Sequence, residues 1–383
     1  MSAAPAPTEE SAAAVAAAVR DAPFVRVVAG ADGDALAASG VLARALRNAG
    51  VPFQIRVDAA PTPRPGEDDE TVLAVGTTGG DHALSTRPAS VAAFETAREL
   101  GDDPYPVVAL AGVVAAGSAL GADDSAAVLS AADDRLRRRP GVGVPTADLA
   151  EGVAHSTLVS APVSGDPEAA RAALADLELS AEPTDDDHRR LASWLAIETA
   201  TAPDASERSA EAVERALRPH ATPGGPFETV EGFGDVLDAL ARERPGTGVA
   251  VAIRGVDEAR RREALEAWRT HARAVHGALA DATTGRYDGL FVARVEASAP
   301  PRLATVARLC LDFHSPESVV LVVSEGAAAA ASVEARELGR ATATAVESVD
   351  AEGTSAGRSR RATARFEDGV EVSRFIAAFR EAL

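Results

Sequence analysis

The sequence predicts an α/β protein of two lobes: a mostly parallel sheet with helices on both faces, followed by a smaller C-terminal α/β domain. Three observations carry this expectation. Short apolar, β-branched runs at residues 25–28, 53–57 and 71–76 are bounded by turn residues, and helix-spaced segments lie between and after them, the pattern of βαβ units. Residues 257–280 form a long charged segment with alanines and leucines at helical intervals, which reads as a connecting helix. Beyond it the alternation resumes on a smaller scale: strand 289–295, helix 302–313, strand 318–323, and a last strand and helix over 362–383. The expected division is a flexible tail at 1–22, a first domain with a helical insertion at 23–256, the connecting helix at 257–284 and a C-terminal domain at 285–383.

The first domain is organised around residues 24–46. A buried strand ends in Gly30-Ala31-Asp32-Gly33-Asp34, after which Leu36, Val41, Leu42 and Leu46 continue at helical spacing. Open α/β sheets bind ligands at the carboxyl ends of their strands. Asp32 and Asp34 stand at such an end, and their carboxylate oxygens suit a hard divalent cation, manganese or magnesium. The alternative is that Asp34 caps the helix while Asp32-Gly33 makes the turn.

The remaining elements follow in order. Residues 61–70 are a Pro-rich acidic loop, and the strand at 71–76 runs into the glycine-rich Thr77-Thr78-Gly79-Gly80-Asp81-His82. Residues 90–100 read as a helix and 107–120 as a nearly uncharged segment buried on all sides. The run Arg135-Leu136-Arg137-Arg138-Arg139 reads as the end of a helix, where cations complement the dipole. Residues 147–202 are helical with loops at 160–167 and 182–187. A charged helix and a Pro- and Gly-rich loop fill 206–226, and a helix at 230–242 leads through Arg244-Pro245-Gly246-Thr247-Gly248 into a strand at 249–253.

Composition bounds the function. Apolar residues make up 46% of the 383, so the chain can build cores of its own. Net charge is −20, and all 38 basic residues are arginine, a lysine-free acidic composition that resembles that of proteins from salt-loving organisms. The sign of the charge then reflects solubility and says little about partners. A single cysteine, Cys310, lies in an apolar run and excludes a disulfide framework or a thiolate zinc cluster. Residues 1–22 lack the basic start and apolar core of an export signal, and no window has the length of a membrane helix. A soluble, cytoplasmic protein with no membrane partner is expected.

In the order and spacing of its pieces the chain resembles the DHH phosphoesterases, in particular the RecJ-like nucleases of archaea. The first motif of that family, His-x-Asp-x-Asp-Gly, is matched by Gly30-Ala31-Asp32-Gly33-Asp34-Ala35 at both aspartates but not at the histidine or the last glycine. His155-Ser156, Ser164-Gly165-Asp166-Pro167-Glu168 and the segment 232–248 resemble the middle of these proteins. Residues 353–383 resemble the DHH-associated C-terminal domain, with Gly357-Arg358-Ser359 in place of its Gly-Gly-His loop. The resemblance implies a two-lobed DHH-type fold and, in active members, two metal ions held by histidines and aspartates. Here the strand at 71–76 ends in Ala74-Val75-Gly76 without a carboxylate, and no Asp-His-His occurs. Asp81-His82 is the one remnant of that motif, displaced into a glycine loop and lacking the second histidine, and His82 reads more readily as a loop histidine that caps backbone.

Two function classes follow. The first is a catalytically degenerate RecJ-like protein of DNA replication or repair, without catalytic residues or cofactor, which acts as a scaffold or single-stranded nucleic-acid-binding partner among replication or repair proteins. The replicative-helicase subunit of eukaryotes that shares this fold without nuclease activity is the comparison. The alternative is a manganese- or magnesium-dependent single-strand exonuclease or phosphodiesterase with Asp32, Asp34 and His82 as residual metal ligands. In either class the resemblance places Gly357, Arg358, Ser359 and Arg360 at the substrate or nucleic acid, unless the arginines pair with Glu367, Asp368 and Glu371. A nucleotide- or acyl-binding enzyme using residues 76–80 as an anion nest ranks last, because that loop lacks the lysine of a phosphate loop.

Overall fold

The computed structural model describes residues 10–67, 69–85, 88–122, 124–180, 182–254, 256–296, 300–349, 352–367 and 369–383. Residues 12–20, in the stretch expected to run from a flexible tail into an Ala-rich helix, form helix α1 (Ala12–Arg20), which Ser11 caps by accepting the Ala14 amide at 3.2 Å. Val15, Ala16 and Val19 are its buried stripe. Then come β1 (Val25–Gly30), α2 (Gly33–Asn48), β2 (Phe53–Asp58), β3 (Thr71–Val75), β4 (His82–Leu84), α3 (Ala89–Glu99), α4 (Pro106–Ala115) and α5 (Ser125–Ala131). The four strands make one sheet in the order β2-β1-β3-β4, every pair parallel, as the βαβ pattern requires.

The basic run does not close a helix. Helix α5 stops at Ala131, and after a turn Arg137–Arg138 form the short strand β5. The middle of the chain supplies α6 (Leu149–His155), α7 (Pro167–Asp176), α8 (Asp185–Thr201), α9 (Ser209–Glu214) and β6 (His220–Ala221), the antiparallel partner of β5. Helices α10 (Val230–Glu243), α11 (Pro245–Arg254) and α12 (Glu258–Ala280) follow.

Residues 249–253 are therefore helix, not strand. Pro245 occupies the first position of α11, where its fixed φ and missing N–H suit a helix start. Close packing on α2 then decides the matter against the β-branched run. A Cβ on Gly40 would lie 2.2 Å from that of Ala252, and one on Gly248 would meet Leu36 at 2.4 Å. Only glycines at these points let the two helices approach.

The C-terminal part consists of β7 (Thr283–Tyr287), β8 (Leu290–Arg294), α13 (Pro300–Leu309) with a π-helical turn at Cys310–His314, β9 (Val319–Ser324), β10 (Ala327–Ser332), α14 (Leu338–Ser348), β11 (Gly353–Gly357), β12 (Arg361–Phe366) and α15 (Val372–Ala382). Its sheet runs β11-β12-β10-β9-β8-β7, parallel only between β8 and β9. The loop expected at Gly357-Arg358-Ser359 is thus the turn of a hairpin, with β11 before it and β12 after it. Alternation along β9 divides the core: Val320 and Val322 join one cluster, while Val319, Leu321 and Val323 join Phe366, Phe375 and Phe379 on the other face.

The chain divides into two compact units, Met1–Leu136 with Phe233–Ala264, and Arg137–Gly232 with Leu265–Leu383. Residues 137–232 were expected with the first domain. They group with the C-terminal sheet because Val142, Leu149, Val153, Leu191 and Leu195 share one continuous core with Val275, Leu303, Val306, Val320 and Val322. Cys310 lies in the same core, where burial pushes its thiol up to about 12, so it acts as a small hydrophobe.

Candidate functional site

The turn between β1 and α2 is built from backbone caps. Asp32 is the extended residue before α2, and its Oδ1 accepts the Ala35 amide at 2.9 Å. Asp34 is 1% exposed and reaches a different helix: Oδ2 accepts the Ala89 amide at 2.7 Å and Oδ1 the Ser90 amide at 2.9 Å. Both its oxygens face the first turn of α3, where unpaired amides and the helix dipole favour an anion. The capping alternative holds in a divided form, with Asp32 capping its own helix and Asp34 the next.

The rest of the turn is held by α10. The Gly33 amide donates to Asp238 Oδ1 at 3.1 Å, and Asp238 forms a buried ion pair with Arg242 one helical turn on. A Cβ at position 33 would stand 2.7 Å from the Asp238 amide nitrogen, so the turn requires glycine there.

At the end of β3 the chain passes through Gly76 in a left-handed conformation, φ 66°, and the Gly76 amide donates to Leu84 O at 3.0 Å. Asp81 Oδ2 accepts the amides of Val72 and Gly66 at 2.8 and 2.9 Å. Burial works against its charged form, yet these two amides hold the carboxyl below its ordinary pKa. His82 is the first residue of β4, not a loop residue, and its Nδ1 lies 2.6 Å from Glu10. Among the described residues no three His, Cys, Asp or Glu side chains gather as a metal donor set.

Other histidines also have partners within the fold. His155 Nδ1 is 3.0 Å from Glu151 O, and its ring lies 5.5 Å from that of Trp268. His271 Nε2 meets Thr305 Oγ1 at 3.0 Å, and His276 Nε2 donates to Ser156 O at 2.9 Å. Both of these α12 histidines are buried, although five residues apart.

The C-terminal turn is pinned through its backbone. The Arg358 amide donates to Arg361 O at 2.8 Å, which closes the β11–β12 hairpin. Arg358 O accepts from Gly339 N and Ser359 O from Arg336 N, each at 2.8 Å, while Arg360 O accepts from Ser332 N at 3.0 Å. A Cβ on Gly339 would lie 2.6 Å from Gly357 O, so the start of α14 sits directly on the turn. Arg360 is exposed, and Arg358, Ser359 and Arg361 are half-buried. Asp368, one of the acidic residues expected to pair with these arginines, lies outside the described residues.

Comparison with known proteins agrees with this architecture. Residues 282–381 match the family model described as the C-terminal domain of uncharacterized protein rrnAC1427. The protein of that name from Haloarcula marismortui is 49% identical over 376 residues, with 96% of each chain covered. Among solved structures, CDC45 from Entamoeba histolytica superposes with a TM-score of 0.62 at 7% identity, covering 96% of this chain and 97% of the other. RecJ in complex with Mg2+ from Thermus thermophilus gives a TM-score of 0.53 at 15% identity over 97% of this chain. The chain spans about half the length of that RecJ, 51%. At such identities the likeness is one of fold.

Proposed function

We propose, since the chain belongs to the family of the Haloarcula marismortui protein rrnAC1427 and has the fold of RecJ and CDC45, that it is a catalytically degenerate RecJ-like protein of DNA replication or repair. It works as a scaffold or single-stranded nucleic-acid-binding partner. The observation that carries this reading is Asp34. Both its carboxylate oxygens hold the amides of α3, and Asp32 holds the start of α2. Two-metal hydrolysis needs two ions a few ångströms apart with several anionic and imidazole donors around them. The donors around this turn do not fit such a pair: no carboxylate ends β3, and His82 is engaged with Glu10.

The test is manganese titration followed by a nuclease assay on a labelled single-stranded oligonucleotide, at a salt concentration where circular dichroism shows the fold intact. No manganese-dependent release of nucleotides is expected. Hydrolysis abolished by Asp32→Asn, which keeps the cap, would overturn the reading and restore the exonuclease.

The hairpin turn is the nucleic-acid contact that the family resemblance suggests. Arg360 is exposed beside a rigid backbone, and guanidinium groups bind phosphate oxygens in pairs. Replacing Arg358 and Arg360 by alanine is expected to weaken single-strand binding several-fold and to flatten its salt dependence, read by fluorescence anisotropy over a KCl series. Unchanged binding would leave the turn a structural element.

A further inference from the structure

We propose that the two-stranded ribbon β5–β6 is a binding surface for the phosphate backbone of single-stranded nucleic acid. The ribbon pairs Arg137 with Ala221 and Arg138 with His220. It is extended by hydrogen bonds from Arg139 N to Pro219 O at 3.2 Å and from Arg218 N to Gly141 O at 3.0 Å. Four arginines therefore stand on one small element: Arg137, Arg138 and Arg218 exposed, Arg139 half-buried.

Their surroundings mark them out. In a chain with 58 acidic and 38 basic residues, a surface arginine has carboxylates to spare, and Arg189, Arg190 and Arg215 all pair with one. None of the four ribbon arginines forms an ion pair with a carboxylate among the described residues. The positive charge is left for an external anion.

Two observations show that the ribbon is built around these groups. Glu231, buried in the first turn of α10, accepts the His220 backbone amide at 3.0 Å and the ring Nδ1–H at 2.9 Å. His220 Nε2 is thereby left as an acceptor, and the Arg138 guanidinium donates to it at 3.0 Å. This Glu231–His220–Arg138 relay holds one guanidinium in a fixed attitude without neutralising it directly. Independently, Arg139 Nε is buried and has no hydrogen-bond partner among the described residues, so nothing inside the fold neutralises this guanidinium, which acts on an external anion through its charge and not through the enclosed Nε. Its uncompensated charge is felt by His188 on α8, whose pKa falls chiefly through burial and next through Arg139, while Asp185 and Asp187 act the other way.

The ligand class follows from the geometry. A guanidinium fork matches two phosphate oxygens, and the pleat sends Arg137 and Arg139 to one face of the ribbon and Arg138 to the other. A flexible single strand can follow both faces; a stiff duplex cannot. The choice of nucleic acid over an acidic peptide rests on the functional reading given above.

The experiment is fluorescence anisotropy of a labelled oligothymidylate with the full chain over a KCl series in which the fold is intact. Arg137→Glu with Arg138→Glu is expected to weaken binding at least tenfold and to make the slope of log K against log[KCl] shallower by about 1 to 2. Arg47→Glu with Arg98→Glu makes the same charge change on exposed arginines of α2 and α3, and less than about a twofold effect is expected there. Arg218→Asn, which keeps the left-handed backbone at that position, φ 52°, should weaken binding several-fold. Equal losses in the two double variants, no loss in the first, no binding by the parent, or equal affinity for polyglutamate would each overturn the proposal. Each of these results is independent of the nuclease assay, so failure here does not decide the question of catalysis.

Discussion

Asp34→Ala is expected to destabilise the first unit by about 3 kcal/mol, because it removes a buried charged acceptor from two helix-terminal amides at once. An N-cap alone contributes about 1 kcal/mol. Here the carboxylate is 1% exposed, so the amides of Ala89 and Ser90 would lose their partner where water has little access. Favourable interaction with the helix dipole is lost as well, while release of the carboxylate from burial offsets part of the total. Asp34→Asn keeps one acceptor oxygen and is expected to lose about half as much. Denaturant midpoints of the parent and both variants measure this. A functional metal ligand predicts a different pattern, because removing one member of a carboxylate cluster relieves repulsion and leaves stability unchanged or raised. An Asp34→Ala protein as stable as the parent would therefore argue against the capping role and for a cation at this turn.

The first sheet was legible because its strands obey local rules. Val25, Val27 and Val28, broken only by the exposed Arg26, and then Val72 to Val75 are apolar runs of the kind buried in parallel sheets, and each leads into a glycine, Gly30 or Gly76. The C-terminal sheet was legible only in part. Strand β10 is five alanines and a serine, a composition with high helix propensity, and it is a strand because it lies between β9 and β12 with all six residues buried. Its signal was the turn, Glu325-Gly326, where Gly326 has φ 71° and joins two antiparallel strands. Residues 249–253 failed in the opposite sense, since a β-branched run became helix through packing on Gly40 of α2. For the candidate site, the spacing of Asp32 and Asp34 revealed the turn at the end of β1. It held no information on which amides the two carboxylates would meet, because Ala89 and Ser90 lie more than fifty residues away. The β5–β6 ribbon was hidden for a related reason. A run of arginines has no strand periodicity, and its pairing with His220 is fixed by a distant segment.

Acidification from pH 6.5 to about 4 is expected to remove about 3 kcal/mol of stability from the second unit through His276 alone. Burial dominates this group: the ring is enclosed by α12 and by the loop at Gly165, whose absent Cβ would lie 2.8 Å from His276 Cβ. Its Nε2–H donates to Ser156 O, which favours the charged form, but His271, Arg308 and His155 are close enough to oppose a further positive charge. The result is a pKa lowered from 6.5 to about 4. The unfolded chain therefore binds a proton between these values that the folded chain refuses. Stability from this group is complete above pH 6.5, falls as the pH drops, and has no more to lose below 4. His155 and His188 are shifted in the same direction, chiefly by burial, and steepen the same window. Salt separates this effect from surface electrostatics, because a buried ring is poorly screened and its pH dependence should persist at molar KCl. Urea midpoints from pH 7.5 to 4.5 in high salt measure it, with His276→Gln as the variant that keeps a donor to Ser156 without a titrating ring. The variant should lose about one proton from the slope of stability against pH. An unchanged slope would mean that His276 takes up its proton in the folded state at its ordinary pKa, and that water reaches a site the packing around Gly165 should exclude.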